Sequence, residues 1–104
     1  MLLSGDRHLT AGYLIQERFV EISSCPFASE NHGLLYDPGE MFMLHDKGNF
    51  FVVIEVNPTA AQSNIIFEVH RIGKGIVRRR QLSWQEINGE ALIRTCELIS
   101  ECRN

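Results

Sequence analysis

Long apolar runs are missing from this chain. None approaches the ~20 residues that a membrane-spanning helix needs. The start, Met1-Leu2-Leu3-Ser4-Gly5-Asp6-Arg7, lacks the basic segment and long apolar core of a secretory leader. The expectation is a soluble, cytoplasmic protein with no membrane partner. Cysteine is scarce, and Cys25, Cys96 and Cys102 are an odd number, so they cannot make a closed disulfide framework. On a continuous helix Cys96 and Cys102 stand roughly 9 Å apart along the axis. A bridge needs Cα atoms within about 7 Å, so reduced thiols are expected. No spacing of His, Cys, Asp or Glu resembles a metal motif, and neither metal nor cofactor is expected. Repeats, low-complexity tracts and linkers are also absent. The 104 residues, 44% of them hydrophobic, therefore read as one domain over 1–104. A chain this long buries roughly two thirds of its unfolded surface, enough to fold without a metal or disulfide. The net charge of −3 gives no wholesale attraction to nucleic acid or anionic lipid, and leaves room only for a local basic patch.

What the chain does have is the stretch Asn49 to Asn57. Its even positions, Phe50, Val52, Ile54 and Val56, are all apolar, and its odd positions run from Phe51 and Val53 to Glu55. β-branched residues in such a run suit a pleated strand. A strand apolar on both sides reads as interior to a sheet. Before it, Met1–Leu3 is a lead-in or short edge strand. Thr10 to Ser24 fits two patterns. Ile15, Phe19 and Ile22 lie at helical spacing behind a Thr10 cap, whereas Tyr13/Ile15 and Val20/Ile22 alternate; the helix is favoured. Ser23 to Glu40 is a long loop, with Leu34-Leu35-Tyr36 as a short strand inside it. Met41 to His45 reads as a strand in a hairpin with the Phe50 strand. Gly48 supplies a positive φ, and a bulged three-residue loop places Phe42 and Leu44 beside Phe50.

Asn64 to Ile72 alternates Ile65, Phe67 and Val69 with Glu68 and His70. Ile76 to Leu82 follows as a last strand. Ser83-Trp84-Gln85-Glu86 has the form of a capping box, and a helix is expected on to about Cys102 with Leu92, Cys96 and Ile99 on its buried face. The expected fold is α+β: an antiparallel β-meander of three to five strands, with an N-terminal and a C-terminal helix packed on one face.

Five cations and no acid lie between Arg71 and Arg80, namely Arg71, Lys74, Arg78, Arg79 and Arg80. Together with Glu68 and His70 they form the candidate binding set. Such a ribbon can hold an acidic protein or ligand. It also serves a bland purpose, because cations on an edge strand block edge-to-edge pairing and pair across strands with acids such as Glu68. No aromatics are interleaved to stack on bases, which disfavours nucleic acid. Glu55, Glu68 and His70, joined by His45 in the bulged register, form a polar sheet face that could do acid–base work but equally suits a solvated face. Cys25-Pro26-Phe27 near His32 lacks any element that would activate a thiolate, and no residue set is read as catalytic. Trp84 reads as packing the strand–helix corner, with a partner anchor as the rival. Met41, Met43, Phe51, Val53 and Ile66 leave one sheet face apolar and uncovered by a single helix, which a homodimer would close.

The functional expectation is a small non-catalytic interaction module, self-associating and binding an acidic protein or small-molecule partner. The rivals are a small-molecule-binding or minor enzymatic domain with a pocket between sheet and helices, and nucleic-acid binding through Arg71–Arg80.

Overall fold

The computed structural model describes residues 1–5, 9–24, 38–57 and 64–103. Seven strands dominate it: β1 (Leu2–Ser4), β2 (Thr10–Ile15), β3 (Phe19–Ser23), β4 (Met41–His45), β5 (Phe50–Asn57), β6 (Asn64–Arg71) and β7 (Gly75–Ser83). Two one-turn helices follow, α1 (Trp84–Ile87) and α2 (Ile99–Cys102). The strands form two sheets, one ordered β1-β3-β2-β4 and one ordered β5-β6-β7. All pairings are antiparallel except β1 with β3. The fold is thus α+β-like and mostly strand, but it is not a strict meander.

The N-terminal helix is not seen. Thr10–Ser23 is a hairpin, because Thr10 to Leu14 are buried consecutively, a pattern that the single apolar stripe of a helix does not produce. Its turn holds Gln16 (φ 52°) and Glu17 (φ 57°) in the left-handed region, and the Arg18 N–H donates to the Ile15 carbonyl at 3.0 Å. Two positive φ angles give a turn whose twist matches the flanking strands, although neither residue is the usual glycine or asparagine. Gly12 makes room for a neighbour: a Cβ there would lie 2.5 Å from the Phe42 ring, beside a register shift in the β2–β4 ladder.

The expected hairpin of β4 with β5 is also replaced. β4 pairs with β2 and β5 with β6, so Asp46–Asn49 carries the chain from one sheet to the other. Among the described strands β5 is an edge, not an interior strand, and β6 is central. The apolar odd positions that suggested an interior strand are partly solvated, with Phe51 37% and Val53 43% exposed. Alternation along β6 turns Ile65, Phe67 and Val69 inward, where they meet Leu14, Val20, Ile22, Phe42 and Met43 of the first sheet and Leu82 of β7. That shared core joins the sheets.

The capping box forms as expected: the Glu86 N–H donates to Ser83 Oγ (3.1 Å) and the Ser83 N–H donates to Glu86 Oε1 (3.0 Å). The helix nevertheless stops after one turn, at Asn88 and Gly89 (φ +78°), and does not restart toward Cys96. Leu92 is 70% exposed while Ile93 is buried, so the Leu92/Cys96/Ile99 stripe does not exist. Trp84 is half exposed and fills the strand–helix corner only in part. The broken helix also overturns the expectation of reduced thiols at two positions. Cys96 and Cys102 form a disulfide with Cα atoms 5.6 Å apart, because the chain between them doubles back. Both lie in a second core cluster with Leu9, Ala11, Tyr13, Met41 and Leu44. Cys25-Pro26-Phe27, His32 and the strand expected at Leu34–Tyr36 lie outside the described residues. No described helix is long and apolar enough to cross a membrane.

Phe67 is completely buried on the central strand, with its ring centroid 6.4 Å from that of Phe42. Phe67→Ala should cost about 3–5 kcal/mol through lost transfer and cavity formation, and Gly12→Ala about 1–3 kcal/mol through overpacking. Urea unfolding midpoints at constant m-value measure both.

Candidate functional site

The basic ribbon does not stay together. Side chains alternate along β7, so Arg78 and Arg80 turn toward the interior while Arg79 faces out. On the outer face Glu68 is opposite Arg79 in the ladder. Its carboxylate lies 3.6 Å from Arg79 Nε and 3.4 Å from His70 Nε2. The His70 ring stacks on Phe51 at 4.7 Å. Glu68, His70 and Arg79 are therefore a cross-strand cluster, and the acid that pairs with them meets Arg79 rather than Arg78 or Arg80. Arg80 lies over the Phe42 ring, 5.0 Å from its centroid, where a guanidinium gains from the negative face of the ring. Lys74 is exposed in the turn before β7. His45 does not join Glu55, Glu68 and His70, because it sits on the other sheet.

Arg78 and Arg71 instead meet His45 at one end of the sandwich. Arg78 Nε donates to His45 Nε2 at 2.8 Å, and Arg78 Nη2 donates to the Cys102 carbonyl at 3.3 Å. The β6–β7 register shift between Val69 and His70 adds Val77 to the strand at this point. The His45 ring packs against Phe50, 5.6 Å between centroids. Next in the chain, the Asp46 carboxylate receives both arms of the Arg103 guanidinium, Nε to Oδ1 at 3.1 Å and Nη2 to Oδ2 at 2.8 Å. That is the bidentate fork in which Arg excels. Gly48 (φ +132°) closes the corner, and a Cβ there would lie 2.5 Å from Arg71 Nε. The missing side chain is what lets Arg71 lie across the turn.

These residues enclose an open cleft of about 290 Å³ lined by His45, Asp46, Lys47, Phe50, Arg71 and Arg103, with Leu44 and Val77. Among the described residues the lining carries three cations (Lys47, Arg71 and Arg103) and one carboxylate, and Arg78 stands behind it through its hydrogen bond to His45. No described acid lies within ion-pairing distance of Lys47 or Arg71. Burial, then the Arg78 charge, pulls the His45 pKa down to about 4 against the opposing pull of Asp46, so the imidazole is neutral and accepts from Arg78. The Arg103 hydrogen bonds hold Asp46 below its ordinary range despite its burial, and Asp46 raises Arg103 in turn. Burial first, and Arg80 second, lowers Arg78.

Nothing in the sequence spacing pointed to Asp46, Lys47 and Arg103 as site residues. Asp46 and Lys47 read as turn residues, and Arg103 reaches them from 57 positions away. A larger cleft of about 790 Å³ lies between the Gln16–Glu17 turn, Glu40 and the segment Leu92–Glu97. Its charges are mixed, and its one inter-element hydrogen bond shown here runs from the Gln16 N–H to Glu40 Oε2 at 3.2 Å. Among the described residues no group of His, Cys, Asp or Glu could hold a metal ion. Comparison with protein-family models, curated proteins and solved structures finds no match to this chain.

A histidine whose folded pKa lies below its unfolded value of 6.5 carries fewer protons folded than unfolded. Stability therefore rises with pH through that interval. The penalty is absent above pH 6.5 and complete below about 4, on the order of 1–2 kcal/mol once 1.36 kcal/mol per pKa unit is discounted for a partly solvated ring. The contribution of Asp46 is lost only as pH falls through and below 3.8, so the two separate. His45→Gln, which keeps an acceptor for Arg78, should flatten the stability–pH curve between pH 4 and 6.5, as measured by urea midpoints across that range.

Proposed function

We propose that this chain is a non-catalytic binding module whose His45 cleft receives the acidic group of a partner protein or small ligand. The observation that carries this reading is a cleft lined by three cations and one carboxylate and backed by Arg78 through His45, with Lys47 and Arg71 in no ion pair among the described residues. Guanidinium groups pair with carboxylate and phosphate alike, so the two sources share one chemistry. A neutral imidazole hydrogen-bonded to a buried guanidinium has no proton to abstract or nucleophile to activate, which favours binding over catalysis. Division of Arg78, Arg79 and Arg80 between two faces leaves no continuous track for a nucleic-acid backbone.

Calorimetric titration at low salt with inorganic pyrophosphate and with a glutamate-rich peptide tests this. At least one should bind, and binding should weaken as salt rises. Arg71→Ala should reduce affinity roughly tenfold, the equivalent of about 1.4 kcal/mol, while Arg79→Ala on the outer face should have little effect. The reading fails if neither probe binds, or if Arg79→Ala does as much damage as Arg71→Ala.

Self-association rests on a separate observation: the outer face of the second sheet exposes Phe51 (37%) and Val53 (43%) as neighbours on β5, and Ile76 (53%) on β7 across His70 of the central strand. An apolar face of this kind suits a symmetric pairing of two copies. Sedimentation velocity over a hundredfold concentration range should show association that Val53→Glu abolishes without unfolding the chain. A sedimentation coefficient that does not change with concentration would remove this reading.

A further inference from the structure

The cleft floor is tied to a redox-active bond. Cys102 supplies the carbonyl that accepts from Arg78, and Arg103, the next residue, forks onto Asp46. Cys102 is held by its disulfide to Cys96, and the Cys96 N–H donates to the Met41 carbonyl at 2.7 Å. The disulfide thus ties the turn bearing Cys102 and Arg103 to Cys96, which a main-chain hydrogen bond fixes to strand β4. The other ties of that turn are non-covalent, and its local ones are the Glu97 N–H donating to Glu101 Oε2 and the Glu101 N–H donating to the Leu98 carbonyl. Helix α2 has four residues and no side-chain cap at Leu98, too short to persist alone. Leu98 and Arg103 are exposed, and only Ile99 and Cys102 pack against the core. Both sulfurs belong to buried residues, and Cys96 is the one that reaches an open cleft, of about 280 Å³, with Phe42, Arg94, Thr95 and Glu101.

We propose that the Cys96–Cys102 disulfide switches anion binding in the His45 cleft, with the oxidised form competent and the reduced form impaired. The proposal rests on the reading of that cleft as an anion site. A dithiol reductant breaks the S–S bond by attack through a mixed disulfide. Its two thiols supply two electrons and two protons, two cysteine thiols form on the protein, and the reductant leaves as its own disulfide. The freed turn carries the Cys102 carbonyl away from Arg78 and Arg103 away from Asp46. The cleft then loses one cation and exposes an uncompensated carboxylate, and both changes repel an anion.

The test uses the full chain with Cys25→Ser, so that a single thiol pair reports. Amide hydrogen exchange of Glu97–Arg103 and the affinity for inorganic pyrophosphate are measured in the oxidised and dithiol-reduced forms. Reduction should speed exchange in that segment and weaken pyrophosphate binding about five- to tenfold. Cys102→Ser should bind like the reduced form, and Arg103→Ala should bind weakly in both forms. Unchanged exchange on reduction overturns the switch whatever the affinity does. Faster exchange with unchanged affinity overturns the coupling. Faster exchange with no binding in either form overturns the cleft as a pyrophosphate site, and the coupling with it.

Discussion

Strand β2 is buried on both faces, and most of the architecture follows from that demand. A strand without a solvated side needs cover above and below. The second sheet supplies one cover, through Phe67, Val69 and Leu82. The other comes from the C-terminal segment, whose Cys96 and Cys102 join Leu9, Ala11, Tyr13, Met41 and Leu44. A short irregular segment is a poor lid by itself, since it carries little apolar surface to offset the entropy of ordering it. Cross-linking it reduces the freedom of the unfolded chain and so helps to hold the lid down. The cleft lies where the two covers meet the β4–β5 corner, which is why its walls come from both sheets and from the chain's last turn.

Local rules were legible wherever the physics is local. The Ser83–Glu86 box, the alternation of Ile65, Phe67 and Val69, and the cationic edge strand β7 all stand as their residues imply. Failures came where two periodicities coincide or where distant segments decide. Ile15, Phe19 and Ile22 satisfy helical spacing, yet Tyr13/Ile15 and Val20/Ile22 satisfy alternation, and tertiary burial on both faces chose the strand. The turn between them uses Gln16 and Glu17 at positive φ, residues that do not announce such a turn. The disulfide was hidden by one mistaken assumption of a continuous helix, because a helix fixes the separation of residues six apart and a reversal of the chain does not. Of the seven expected site residues, Arg71 lines the cleft and Arg78 touches it through His45. Asp46, Lys47 and Arg103 became legible only with the corner and the C-terminal turn in place.

Alternation turned a run of three arginines into three different interactions. Arg79 meets Glu68 in partly solvated surroundings, where an ion pair contributes little. Arg80 covers Phe42 with its guanidinium and extends the apolar core outward. Arg78 is the costly one, since a half-buried charge is tolerated only when its N–H groups find acceptors. Its acceptors include a neutral imidazole and a main-chain carbonyl.

That choice of acceptors divides the work within the cleft. Arg78 is held by bonds to two separate segments, so it fixes the His45 ring in the cleft wall. Lys47 stands at the rim beside Gly48 and is exposed to solvent, and Arg71, at the end of β6, lies across that turn where glycine leaves room for it. Groups of the first kind lower the entropy lost when a ligand settles, because their geometry exists beforehand. Groups of the second kind act at longer range, drawing an anion in and adjusting to its shape. On the proposed reading, the fixed groups would favour a compact negative group that needs no proton from the protein, while the rim would accept whatever carries that group. Such tolerance would suit a module that reads one charged feature on varied partners better than a pocket built around a single molecule.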